Sequence, residues 1–107
     1  MAKKKEKLIV EWTAIAEKQL FAVLNYWIEK NQSTIYAEKL VKAIWKRTQI
    51  LSANPYISIQ TNCPNTRNSI LGHFSIIYKV AETKLIITAF WDNRQDPKKL
   101  YEMLKSQ

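Results

Sequence analysis

Phe74, Ile76, Tyr78 and Val80 alternate with Ser75, Ile77 and Lys79. A period of two over seven residues would scatter apolar side chains around a helix, but it lines them up on one face of a strand. Ala81 to Lys84 supplies a loop. Leu85, Ile87, Ala89 and Trp91 then repeat the alternation, so the two runs read as an antiparallel hairpin. Upstream, Arg67 to Leu71 reads as a short strand, turned back by Gly72, the only glycine of the chain. The three strands predict a meander, and whatever else the chain forms must cover its apolar face.

The first half supplies the cover. Leu8, Val10 and Trp12 alternate with Ile9 and Glu11, which predicts an opening strand that joins the sheet. Thr13 is placed to cap a helix, and Glu17 in the first turn suits the positive end of its dipole. Ala16, Leu20, Val23, Leu24 and Trp27 follow at helical spacing to about Lys30. Asn31 and Gln32 break the pattern, with Asn as a left-handed cap. Ser33 caps a second helix with the stripe Ala37, Leu40, Val41, Ile44, Thr48 and Leu51. That helix stops at Asn54-Pro55, because a residue before proline avoids the helical region. So short a break forces an antiparallel helical hairpin. Residues 56–66 are polar and contain Pro64, and read as a loop. Asp96 and Pro97 open a last helix as N-cap and first residue, with Leu100, Met103 and Leu104 on its apolar face. The order is β-α-α-β-β-β-α, a two-layer α+β domain spanning residues 1–107.

A chain of 107 residues can bury one core without staples. Cys63 and His73 are the only residues of their kinds, so an intramolecular disulfide and a two-histidine ribonuclease mechanism are excluded. A structural zinc site is not expected either. One glycine cannot make a glycine-rich phosphate loop. No metal or cofactor is expected. No apolar run suits a signal peptide or a membrane span, which points to a cytoplasmic protein. The net charge of +8 points to an anionic partner: nucleic acid, a ribosome or an acidic protein. Residues 1–7 hold four lysines against one glutamate and read as a basic, flexible tail. The second helix carries Lys39, Lys42, Lys46 and Arg47 against Glu38, which is the stronger sign because it belongs to the folded body. Trp12 and Trp27 read as packing residues. Trp45 lies off the apolar stripe and fits either packing or a partner contact.

Residues 90–97, Phe-Trp-Asp-Asn-Arg-Gln-Asp-Pro, hold both aspartates of the chain with Arg94 between them. One reading is structural: Asp96 caps the helix, and an aspartate pairs with Arg94 to fix the junction. The other places Arg94 at a strand end facing a groove, where its planar fork of donors can hold a phosphate.

At this point the chain resembles the RelE/ParE toxin superfamily of type II toxin–antitoxin systems, over almost its full length. Four blocks carry the likeness: Val10-Glu11-Trp12-Thr13-Ala14 with Tyr26-Trp27; Tyr36-Ala37-Glu38-Lys39-Leu40 with Asn54-Pro55; Arg67 with Phe74-Ser75-Ile76-Ile77-Tyr78; and Asp92 to Leu100. The resemblance implies a toxin of the plasmid-stabilisation kind that inhibits growth by blocking translation or DNA gyrase. It also implies a cognate antitoxin, expected to be acidic, with DNA contacted only through that antitoxin. RelE-like members cut mRNA on the ribosome without metal, using cations that meet charge developing on the phosphate. Carried over, Arg67, Arg94 and Tyr101 are the candidate catalytic residues, and Lys42, Lys46, Lys79 and Lys98 the candidate binding residues. ParE-like members inhibit gyrase and cut nothing. A third possibility is a degenerate module that only binds antitoxin.

Two departures weigh against the nuclease. Ser75 stands where the family's central strand often carries an arginine, and residues 52–66, which bear lysines in RelE-like enzymes, contain no Lys or Arg. Each such missing donor is worth roughly 3–4 kcal/mol of transition-state stabilisation. They favour the gyrase-inhibitor reading.

Overall fold

The computed structural model describes residues 7–105, with the side chains of Pro97, Tyr101, Met103 and Leu104 excepted. The rest of the Lys-rich lead, residues 1–6, lies outside the described residues. The elements are β1 (Ile9–Trp12), α1 (Ala14–Asn31), α2 (Ile35–Ala53), β2 (Ile59–Gln60), β3 (Thr66–Leu71), β4 (Phe74–Val80), β5 (Lys84–Asp92) and α3 (Pro97–Lys105). The strands form one sheet in the order β1-β5-β4-β3-β2. β1 runs parallel to β5, with Ile9 beside Lys84 and Trp12 beside Ile87, and the other pairings are antiparallel. This is the expected α+β layout with one addition. β2 lies inside the segment read as a loop. It is two residues long, too short for alternation to register, and it pairs Ile59 with Asn68 and Gln60 with Arg67.

The helical hairpin covers one face of the sheet. Ala16, Leu40, Ile44 and Leu51 from the helices meet Phe74, Ile76, Tyr78, Leu85, Ile87 and Phe90 from β4 and β5. Val41, placed on the α2 stripe by spacing, is instead exposed. The β5 side of this core departs from simple alternation. Ile77 pairs with Ala89 and Tyr78 with Ile87, which leaves Thr88 as an extra residue in a bulge. The bulge reverses facing. Leu85 and Ile87 point to the helices before it, and Phe90 and Asp92 after it, so Ala89 and Trp91 belong to the second face. There Ser75 is fully enclosed and donates to the Asn93 Oδ1 at 2.9 Å, so no open space surrounds position 75.

The helix ends follow local chemistry. Thr13 Oγ1 accepts the Ala16 N–H at 3.2 Å, as expected of the cap. α1 closes on Gln32 in the left-handed region, one residue beyond the expected Asn. Thr34, not Ser33, is the α2 N-cap and makes no side-chain cap bond. Ser33 Oγ still accepts the Ile35 N–H at 3.2 Å, because it folds back two residues in a local turn rather than three into the helix. Asp96 Oδ1 accepts the Lys98 N–H at 2.9 Å, which fixes the start of α3.

Candidate functional site

β1 ends at Trp12, so the last residues of β5 have no strand on that side. The Gln19 side chain fills part of the gap by accepting the Phe90 N–H at 2.9 Å. Between this stretch and the flank of α1 opens a groove of about 580 Å³, walled by Val23, Tyr26, Trp27 and Phe90, with Lys30 and Arg94 at its rim. The half-buried Trp27 ring gathers the groove's aromatic and cationic side chains around it. Tyr26 meets it edge-on and Tyr36 tilts against it, each at 5.2 Å between centroids. Lys30 Nζ lies 5.1 Å and the Arg94 guanidinium 5.4 Å from the centroid of the same ring. Two cations close to one indole ring give the groove an apolar wall and a positive edge.

Arg94 is held from below. Its Nε and backbone N–H each donate to Asp92 Oδ1 at 2.9 Å, and Nη2 donates to Oδ2 at 2.7 Å. Side-chain hydrogen bonding from Arg94 holds the Asp92 carboxyl below its usual range, against the opposing effect of burial. The stability this pair contributes is therefore present above the unfolded value of about 3.9 and is lost as pH falls through the lower folded value. Asp92→Asn should cost about 1 kcal/mol or less near neutrality, because the Arg94 side chain is 45% exposed. Urea unfolding should show that gap narrowing as pH falls below the unfolded value of about 3.9. A gap that stays constant across acid pH would mean that the pair is not coupled to folding.

Arg67 has a different setting. Nη1 donates to the Ser58 carbonyl at 2.8 Å and to the Tyr56 carbonyl at 3.2 Å, and the guanidinium lies 5.0 Å from the centroid of the Tyr56 ring. Tyr78, buried opposite Arg67, donates to the Pro55 carbonyl at 2.7 Å and is hydrogen-bonded to Ser58 Oγ. Burial pushes the Tyr78 hydroxyl up, against the Ser58 bond and the Arg67 charge, so it stays protonated. Arg67 and Tyr78 together pin residues 55–58 to the sheet.

The two arginines are not brought together. Arg67 pairs with Tyr78 on β3, while Asp92, which carries Arg94, pairs with Phe74 on β5. A rise of about 3.3 Å per residue and about 4.8 Å per strand puts the Cα atoms of Arg67 and Asp92 roughly 16 Å apart. Lys79 lies on the sheet face away from the helices, by its pairing with Thr66 and Ile86. Lys42 and Lys46 are exposed on α2, and Lys98 is exposed at the start of α3. None of these lysines lines the groove. The Tyr101 side chain lies outside the described residues. Lys30 and Gln19 line the groove without having been singled out in the sequence, and Tyr26 had been marked only as part of a family-like block. They occupy the α1 flank beside the buried stripe, where spacing distinguishes a groove wall from plain surface only once β5 is in place. Among the described residues no cluster of His, Cys, Asp and Glu is arranged to hold a metal ion. No helix among them is long and apolar enough to cross a membrane.

A family model described as the ParE toxin of the type II toxin–antitoxin system parDE matches residues 10–97. No curated protein matches the chain. Among solved structures, a chain of the chromosomal ParDE toxin–antitoxin system from P. aeruginosa is similar, with a TM-score of 0.67 and 22% identity over 78% of this chain and 94% of that one. At that identity the likeness concerns the fold.

Proposed function

Because this chain belongs to the ParE toxin family of type II toxin–antitoxin systems, we propose that it arrests growth by binding DNA gyrase and cuts no RNA. The observation that carries this reading is the state of its arginines. Arg94 is taken up by both carboxylate oxygens of Asp92, Arg67 by two backbone carbonyls, and they stand at different corners of the sheet. A phosphate-cutting site needs cations converging on one developing charge, and here the two arginines do not converge, each being anchored at its own corner of the sheet. The enclosed Ser75, in the family's arginine position, supports the same reading.

The antitoxin belongs in the groove. An acidic C-terminal segment, complementary to the chain's charge of +8, would seat an apolar side chain on Trp27 and set carboxylates against Lys30 and Arg94. The chain acts in the cytoplasm, and DNA is read by the antitoxin rather than by this groove.

A short pulse of expression tests the target. Transcripts should stay intact while growth stops, and the purified toxin should inhibit gyrase supercoiling. Arg67→Ala and Arg94→Ala should both retain growth arrest wherever the variants remain folded. New 5′ ends inside translated codons, lost in Arg94→Ala, would overturn the proposal in favour of ribosome-dependent cleavage.

A further inference from the structure

The outward ridge of α2 carries a second cationic surface, on the side of the helix turned away from the sheet. Lys39, Lys42 and Lys46 are spaced three and four residues apart, so they stack on one helix face. At 1.5 Å per residue they cover about 10 Å of the axis. All three are exposed, and none is in an ion pair among the described residues. The nearest acid in sequence, Glu38, accepts from the Thr34 hydroxyl at 3.4 Å. Arg47 faces the other way and is committed to Ser69 Oγ and the Ile70 carbonyl, at 2.9 and 2.7 Å. Beside the lysines stands Trp45, 63% exposed, three residues after Lys42 and one before Lys46. Val41, one turn earlier on the Trp45 flank, is also exposed. The core has no use for Trp45, since the buried stripe of α2 is Ala37, Leu40, Ile44, Thr48 and Leu51.

We propose that this ridge binds a single-stranded nucleic-acid segment, with Lys39, Lys42 and Lys46 against successive phosphates and a base stacked on Trp45. Three unpaired cations along one line match a backbone that carries one charge per nucleotide. An indole at their flank is what a duplex leaves unused and an unpaired base can cover. The ridge is separate from the α1–β5 groove, so the proposal does not depend on the target or on where the antitoxin sits.

The experiment is fluorescence anisotropy of a labelled oligothymidylate titrated with the full chain over a salt series. An oligouridylate, a hairpin duplex and polyglutamate serve as competitors. Each phosphate contact contributes a slope of about −0.7 in log K against log salt for single strands. The triple variant K39A/K42A/K46A should therefore flatten the slope by about 2. Trp45→Ala should weaken the single strand by roughly five-fold or more and leave any duplex binding unchanged. A chain with its first four lysines replaced by alanine controls for the tail and should keep both effects. Both ridge variants change exposed positions, and circular dichroism checks their folding. The proposal fails if the triple variant keeps the wild-type slope or if Trp45→Ala has no effect on the single strand. It also fails if polyglutamate displaces the strand as well as oligouridylate does, which would assign the ridge to an acidic protein.

Discussion

Replacing Tyr78 by alanine is expected to cost about 3–5 kcal/mol of folding stability, enough to leave the chain largely unfolded if its total lies near the lower end of the usual 5–15 kcal/mol. Tyr78 is fully buried in the core with Ile76, Ile87 and Leu51. Truncation opens a cavity under the α2 helix that the rigid sheet cannot close. It also removes the hydroxyl that ties the Pro55 carbonyl and Ser58 to β4. Tyr78→Phe separates the two contributions. The ring remains, and the loss should be about 1–2 kcal/mol for the hydrogen bonds alone. Denaturant melts of the three proteins measure both. The phenylalanine variant should keep full toxicity, since this hydroxyl is a structural donor held protonated by burial. A variant that folds well but has lost toxicity would give Tyr78 a chemical role.

The second large effect is expected at Trp27. Trp27→Ala should weaken antitoxin binding by at least about 30-fold, the mark of a central aromatic anchor worth about 2 kcal/mol or more. The indole is the floor on which Tyr26 and Tyr36 lean and over which Lys30 and Arg94 sit. Its removal takes away both the apolar seat and the surface that positions the two cations. Lys30→Glu should weaken the complex as well, more at low salt than at high salt, because a rim charge acts through screened Coulomb attraction. Calorimetric titration with the cognate antitoxin measures both variants, and thermal unfolding checks that each is folded. Unchanged affinity in Trp27→Ala would place the antitoxin elsewhere on the toxin.

What could be read in advance depended on how local each cause was. The β4 pattern, the Thr13 cap, the Asn54-Pro55 stop and the pairing of an aspartate with Arg94 all arise within a few residues, and they appear where spacing placed them. β2 escaped because two residues carry no period. The reversal along β5 escaped because a bulge is defined by its partner strand, and Thr88 looks like any other strand residue until Ile77 and Tyr78 are aligned against it. The groove was half legible. Arg94 was marked by its rare aspartates, whereas Lys30 and Tyr26 acquire a role only when α1 lies across a strand some sixty residues further on.

The pairing of β1 with β5 sets an order of events during synthesis. Ile9 finds its neighbour only when Lys84 has emerged, and the wall opposite Trp27 is built from residues 90 to 95. A growing chain therefore carries a complete helical hairpin with nothing for its apolar flank to rest on, and no groove for an antitoxin to enter. On the proposed docking site, capture of the toxin must wait until residues 90 to 95 have joined the sheet.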